Sequence, residues 1–283
     1  MSEPTLAQAL AAARSAGVDR LDAQLLLLYA LGKAASDRAW LMAYDTEPLD
    51  ENPSAHFSTL IQRRAAGEPL AYLVGRLEFF GLNLLVDPRV LIPRPDTETL
   101  VDWSLEVLKM SGTPEVPAVL DLGTGSGAIA LAIAHSLKMA DRAVRVVASD
   151  ASAEALAVAR ENASRLELDV SFVASSWFDK VSEHFHLIVA NPPYIAEADP
   201  HLADLTHEPL EALTAGPDGL DDIRSIISQA PEHLNSNGWL LLEHGFDQAL
   251  PVRRLLLERG FQAVQSRLDL AGIERCSGGC WLP

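Results

Sequence analysis

Val119-Leu120-Asp121-Leu122-Gly123-Thr124-Gly125-Ser126-Gly127 decides the fold of this chain. An apolar strand pattern runs into a glycine-rich turn, and a helical pattern over 125–138 follows. Glycine lets backbone approach a ligand closely and adopt dihedrals closed to other residues. The helix behind the turn offers free N–H groups and a positive dipole end, suited to a carboxylate. Asp150 ends the next strand pattern, 23 residues after Gly127. An acid at that place can accept hydrogen bonds from ribose hydroxyls. Gly123, Gly125 and Ala128 also satisfy the loose dinucleotide fingerprint G-x-G-x-x-G/A. Asp121, inside the strand end, favours instead a ligand that carries positive charge, an amine and a sulfonium.

Outward from this stretch, strand patterns at 117–122, 144–149, 170–174, 185–190, 238–243 and 261–268 alternate with helical patterns at 125–138, 152–166, 219–235 and 247–259, with a last strand near 279–282. Such alternation predicts an α/β fold with a mainly parallel, doubly wound sheet. Residues 4–75 read as helices. Leu6, Leu10 and Ala13 keep helical spacing, as do Leu21, Leu25 and Leu28, and a further helix spans Ser54 to Ala66 before Gly67 and Pro69. The expected organisation is a helical, partner-binding N-terminal domain at 1–75, a hairpin or extended linker at 76–96, and a Rossmann-like catalytic domain at 97–283. Pro93-Arg94-Pro95 stiffens the approach to a helix running to about Met110, with Asp96 or Thr97 as its cap.

Composition narrows the function. Hydrophobic residues make up 48% of 283, enough for a packed core. The N-terminus Met-Ser-Glu-Pro-Thr predicts no secretory signal, and the apolar run Leu25–Leu31 is too short to span a bilayer. Two cysteines, Cys276 and Cys280, provide no disulfide framework and no metal-ligand pattern, so a reduced cytoplasm is the expected setting. The formal net charge is -17; residues 77–283 carry thirty acids against fifteen Lys and Arg. Nucleic-acid binding normally draws on phosphate neutralisation, so it is disfavoured as the main activity.

Asn191-Pro192-Pro193-Tyr194 directly follows the apolar run Leu187–Ala190. In a doubly wound sheet, ligands sit beyond the carboxyl ends of the strands. The Asn191 side-chain oxygen can accept one hydrogen of an incoming NH2 group, and the Pro192 carbonyl can accept the other. Two prolines stiffen a loop rich in acceptors and poor in donors. Tyr194 supplies a flat face for a planar amide or base. An amide nitrogen is a poor nucleophile. Two acceptors on its hydrogens orient it and stabilise the positive charge that develops as it is alkylated. The proton can leave afterwards, so no strong base is required. Together the two motifs point to methyl transfer from S-adenosylmethionine, with S-adenosylhomocysteine as product, onto an amide or amine nitrogen.

The chain resembles the bacterial peptide chain release factor glutamine methyltransferases along essentially its whole length. Pro-Arg-Pro-Asp-Thr-Glu at 93–98, Asp-Leu-Gly-Thr-Gly-Ser-Gly at 121–127, Asn-Pro-Pro-Tyr-Ile at 191–195 and Leu-Leu-Leu-Glu-His-Gly at 240–245 carry the likeness. The resemblance implies a class I S-adenosylmethionine-dependent methyltransferase fold with a small N-terminal helical domain. It implies N5 methylation of the glutamine in the Gly-Gly-Gln motif of class I release factors. It also implies cofactor contacts at Gly123, Thr124, Gly125, Ser126, Gly127, Asp150, Trp177 and Asn191, with Trp177 beside the adenine. Substrate contacts fall at Asn191, Pro192, Pro193 and Tyr194, of which Asn191, Pro192 and Tyr194 are the catalytic set. The segment from Asp199 to Leu210 is shorter than is common in the family.

Three rival readings share parts of this pattern. A ribosomal-protein glutamine methyltransferase would keep the whole catalytic motif. An adenine-amine nucleic-acid methyltransferase would present a similar conjugated NH2, against which the net charge stands. A non-catalytic module would keep only the cofactor pocket. Lesser candidates are Arg94 at the cofactor carboxylate or partner, Glu243-His244 in support at the ligand edge, His184, His186 and His201 as solvated or strand-edge residues, and Arg63 and Arg64 facing water.

Overall fold

The computed structural model describes residues 4–110 and 114–282, so Met1-Ser2-Glu3 of the N-terminal stretch lies outside the described residues. The chain divides into two compact units, Met1–Arg76 and Leu77–Pro283.

The first unit is helical: α1 (Leu6–Ser15), α2 (Arg20–Ala30), α3 (Arg38–Ala43), α4 (Glu51–Ala65) and α5 (Leu70–Val74). A reciprocal capping box starts α1, where Gln8 N–H donates to Thr5 Oγ1 and Thr5 N–H donates to Gln8 Oε1. α4 starts at Glu51, three residues before the position read from sequence, because Pro53 falls in the first turn, where a helix needs no N–H. The face of α2 also differs from expectation. Leu21 is exposed, and the buried set is Ala23, Gln24, Leu26, Leu27 and Leu28. α2 packs against α1, α3, α4 and α5 at once, so more than one stripe is covered. Arg63 pairs with Glu68 and Arg64 with Asp22, where water contact was expected.

A hairpin follows, its first strand starting at the boundary residue: β1 (Arg76–Phe79) and β2 (Leu82–Leu85). The two-residue turn Phe80-Gly81 has both φ angles positive, as the right-handed twist of a tight hairpin favours. A short 3-10 turn at Pro95–Thr97 leads into α6 (Glu98–Leu108). Then come β3 (Ala118–Leu122), α7 (Ala128–Met139), β4 (Arg145–Asp150), α8 (Ala153–Arg165), β5 (Ser171–Ala174), β6 (Phe185–Ala190), α9 (Asp221–Gln229), β7 (Leu234–Glu243), α10 (Ala249–Arg259), β8 (Gln262–Leu268) and β9 (Glu274–Trp281).

Seven strands form one sheet in the order β5-β4-β3-β6-β7-β9-β8. The first five are parallel, and β9 runs antiparallel to both β7 and β8. Strand order reverses between β3 and β6, the switch point where such sheets bind ligands. Side chains alternate across β3. Val119 packs with α6 and α7 on one face, and Leu120 and Leu122 pack with α9 and α10 on the other. Each fully buried leucine contributes about 1.5–3 kcal/mol relative to exposure.

Of the expected boundaries in this unit, two move furthest. The pattern over 219–235 contains only a nine-residue helix, because a 3-10 turn at Ala230–Glu232 intervenes and β7 begins at Leu234. The last strand starts at Glu274 rather than near 279.

Candidate active site

Register lines up four residues at the carboxyl edge of the sheet. Leu122 of β3 pairs with Ser149 of β4 and with Ala190 of β6, and Ala190 pairs with Leu242 of β7. One residue further on, Asp150, Gly123, Asn191 and Glu243 form a row across four adjacent strands.

The turn after β3 is held from beneath. Asp121 is fully buried; its Oδ2 accepts from Thr124 Oγ1 at 2.6 Å and from Ala130 N–H at 3.2 Å. Its Oδ1 is buried and unpartnered, and burial raises its carboxyl to about 7. Gly123, Gly125 and Gly127 all take positive φ. Gly127 caps α7 at φ 86°, and a Cβ there would lie 2.9 Å from Leu131 Cδ1 and 3.3 Å from the Ala159 methyl. Asp150 closes the turn: Oδ2 accepts from Gly125 N–H at 2.9 Å, and Oδ1 accepts from Ser152 N–H at 2.8 Å. Burial raises the Asp150 carboxyl above its usual value, and those backbone donors oppose the shift.

A cleft of about 370 Å³ opens over this row, lined among others by Gly123, Gly125, Asp150, Trp177, Asn191 and Pro193. Trp177 Nε1 donates to Asp222 Oδ1 at 3.1 Å, and a Cβ on Gly123 would come within 3.3 Å of the indole. A second cavity of about 100 Å³ is lined by Asn191, Pro192 and Tyr194, with Leu91, Arg94 and Leu213 among its other walls. Asn191 lines both cavities. Its Nδ2 donates to Thr97 Oγ1 at 3.3 Å, while its Oδ1 is buried with no hydrogen-bond partner. Such an orphaned acceptor costs free energy unless a ligand supplies the missing donor. Burial pushes the Tyr194 phenol well up, so it stays protonated, and its hydroxyl reaches Glu243 Oε1 at 3.5 Å.

The residues read from sequence therefore separate. Gly123, Gly125, Asp150, Trp177, Asn191, Pro192, Pro193 and Tyr194 line the two cavities. Thr124, Ser126 and Gly127 line neither. Thr124 anchors to Asp121, the Ser126 carbonyl accepts from Asn162 Nδ2 at 2.9 Å, and Gly127 packs against α7 and α8. Neither Asp96 nor Thr97 caps α6 with its side chain. Asp96 pairs with Arg275 at 3.3 Å, and Thr97 turns its hydroxyl towards Asn191. Arg94 is committed to Glu208, whose other oxygen accepts from Ile92 N–H at 3.1 Å. His186 Nδ1 accepts from Ala118 N–H, and His201 pairs with Asp199. Cys276 and Cys280 are buried free thiols on β9.

Three contributors escaped the sequence reading. Thr97 looks like a helix cap and Asp222 like a first-turn acid. Gln248 carries no motif, yet its Nε2 donates to the Tyr194 carbonyl at 3.0 Å and its Oε1 accepts from Gly245 N–H at 2.9 Å. Gly219 lies against the same carbonyl, where a Cβ would come within 2.2 Å of the Tyr194 oxygen.

Residues 104–268 match the Methyltransferase small domain family, and residues 5–75 match the PrmC N-terminal domain. A crystal structure of a methyltransferase from Pyrococcus furiosus superposes with a TM-score of 0.53 at 18% identity, over 80% of this chain and 100% of its own, which speaks for the fold alone. Two curated relatives reach further. The release factor glutamine methyltransferase of Burkholderia pseudomallei (strain K96243) is 47% identical over 289 residues, 98% of each chain. That of Bordetella pertussis (strain Tohama I) is 48% identical over 267 residues, 93% of this chain and 95% of its own. Identity at this level, sustained across both units, means that the chain belongs to the family of release factor glutamine methyltransferases.

Proposed function

We propose that this chain methylates the side-chain amide nitrogen of a glutamine in a release factor, the Gly-Gly-Gln glutamine of class I factors, and that Asn191, Pro192 and Tyr194 orient it. S-adenosylmethionine supplies an electrophilic methyl group on a sulfonium. The larger cleft suits it on three counts. Gly123 leaves space where a side chain would meet Trp177, Asp150 lines the cleft with two carboxylate oxygens that each accept from one backbone N–H, and Trp177 provides an aromatic wall. In this reading Gly123 and Gly125 let the ligand approach the backbone, Asp150 takes the ribose hydroxyls, and Trp177 lies beside the adenine.

The smaller cavity takes the glutamine side chain. Asn191 Oδ1 accepts one amide hydrogen and the Pro192 carbonyl the other, which presents the nitrogen lone pair towards the cleft. Both acceptors gain strength as the nitrogen becomes positive. Tyr194, kept neutral by burial, packs on the amide plane without competing as an anion. The observation that carries this reading is the buried, unpartnered Oδ1 of Asn191 at the join of two cavities. The helical N-terminal unit grips the partner, and the reaction belongs in the cytoplasm. Among the described residues, no helix is long and apolar enough to cross a membrane.

The test is incubation with radiolabelled S-adenosylmethionine and a full-length release factor, beside a copy whose Gly-Gly-Gln glutamine is replaced. Label entering only the intact factor is the expected result. Label in neither, despite measurable cofactor binding, would overturn the substrate assignment and move attention to ribosomal protein and then to nucleic acid.

A further inference from the structure

An asparagine amide is nearly symmetric in shape and can sit either way round. Only the orientation that aims Oδ1 at the substrate can accept its hydrogen. What fixes the choice is the partner of Nδ2, here Thr97 Oγ1 at 3.3 Å. A hydroxyl both donates and accepts, so Thr97 alone specifies neither orientation. Glu243 lies in the same row, one strand from Asn191, and is 1% exposed. Its Oε1 accepts from the Tyr194 hydroxyl at 3.5 Å, while its Oε2 is buried without a hydrogen-bond partner and is free to take a donor. An ionised carboxylate only accepts. A hydroxyl hydrogen turned towards it would leave the Thr97 lone pairs for the Asn191 NH2, which donates to Thr97 Oγ1 at 3.3 Å.

We propose that Glu243 and Thr97 are positioning residues for the transfer: Glu243 sets the direction of the Thr97 hydroxyl, and Thr97 thereby holds the Asn191 amide with its oxygen towards the substrate nitrogen. This rests on the reading of Asn191 as the acceptor for the glutamine NH2. Neither residue touches substrate; both act through Asn191.

The relay has a pH dependence of defined sign. Burial raises the Glu243 carboxyl to about 7, with the charge of Asp96 adding to it and the Thr97 hydroxyl, Arg275 and the Tyr194 hydroxyl opposing. Cys276, its register partner on β9, has its thiol pushed up by burial and stays neutral. His244, just after β7, has its imidazole pushed down by burial and bonds Ser277. Asp96 and Arg275 are thus the fixed charges facing Glu243. Below about pH 7 the carboxyl gains a proton, the Thr97 hydrogen is released, and Asn191 can reverse. Turnover falls on the acid side.

The experiment measures kcat and KM with a full-length release factor, and cofactor Kd, from pH 6 to 9, for the wild type, Asn191→Ala, Thr97→Val, Thr97→Ser and Glu243→Gln. Thr97→Val, of equal size, is expected to lose roughly tenfold or more in kcat. Its cofactor Kd should stay within about twofold, since no ligand contact is removed. Thr97→Ser keeps the hydroxyl and should restore most of the rate. Glu243→Gln should lower kcat and abolish the acid limb. Wild-type kcat in Thr97→Val, equal loss in Thr97→Ser, or a wild-type acid limb in Glu243→Gln would each overturn the relay. The Glu243→Gln profile stands by its shape, so it decides even if Thr97→Val folds poorly. Normal turnover by Asn191→Ala would instead break the site reading beneath it. An inactive Asn191→Ala beside a fully active Thr97→Val would break the relay alone.

Discussion

The turn after β3 and the loop after β6 leave the sheet side by side, since Leu122 and Ala190 are register partners, yet they are built from opposite materials. Gly123 to Gly127 expose backbone with three positive φ angles and run into the N-terminus of α7, whose positive end makes this the donor side, although Thr124, Gly125 and Gly127 already donate to Ser149, Asp150 and Thr124. Asn191 to Tyr194 contain two prolines and an orphaned side-chain oxygen, so they present acceptors. One edge of one sheet thus sets an open glycine turn at a helix N-terminus beside a loop with an unfilled acceptor. The rest of the fold serves to keep the two apart by one strand spacing. Glycine makes the first possible and its absence would block it; proline makes the second by removing N–H groups.

The sharpest way to break this contrast is to empty the acceptor side. Asn191→Ala should reduce transfer by about a hundredfold to a thousandfold, the scale of removing one preorganised charge-stabilising group. Cofactor affinity should change little, because Asp150 and the glycine turn remain. Single-turnover rates beside calorimetric cofactor titration separate the two quantities. Equal loss in both would mean that the two sides are not independent.

Gly127→Ala attacks the donor side. The left-handed backbone there costs a non-glycine residue about 1–2 kcal/mol, and the added methyl crowds Leu131 and Ala159. A stability loss of roughly 2–4 kcal/mol in urea unfolding is expected, with weaker cofactor binding as the turn shifts. Unchanged stability would show that the turn does not depend on this conformation.

Asp121→Asn tests the anchor beneath the donors. In the folded protein this carboxyl titrates at about 7 rather than its ordinary 3.8. The folded state then holds a proton that the unfolded state has lost, so stability falls as pH rises from about 4 to about 7 and is flat above. Asparagine keeps an acceptor for the Ala130 N–H and removes the titration. The variant should lose that slope and be more stable at pH 8, by on the order of 1–3 kcal/mol. A slope identical to the wild type would assign it to other carboxyls.

What the sequence made legible follows from how far each feature reaches along the chain. The strand patterns of β3 to β6 and the two motifs at their ends are local, and register then sets Gly123 and Asn191 side by side. β9 was read too short because Ser277, Gly278 and Gly279 resemble a loop. They are small for another reason: a Cβ on Gly278 would come within 2.5 Å of the Leu240 carbonyl oxygen, so the residue is sized by packing inside the sheet. Thr97 was read as a cap because the local pattern favours one, yet its hydroxyl bonds a side chain 94 residues away. Arg94 and Glu208 are 114 residues apart. Positioning contacts of this range leave no spacing to find; Glu243 was legible as a candidate support at a strand end on the ligand edge, but its burial and its orphaned oxygen were not.

The smallest expected effect comes from the second proline of the acceptor loop. Pro193 lines the cofactor cleft, and Pro193→Ala changes two things there. It adds a backbone N–H to a loop whose character is to lack donors, and it frees the backbone of the unfolded chain, which costs about 0.4–1 kcal/mol. Gln248 still holds the Tyr194 carbonyl and Gly219 still gives it room, so the loop should keep its path. A fall in kcat of about threefold, with cofactor affinity nearly unchanged, would fit a loop whose lack of donors matters less than the Asn191 acceptor. A loss as large as that of Asn191→Ala would reverse that ranking and make the rigid, donor-free backbone the main determinant of amide orientation.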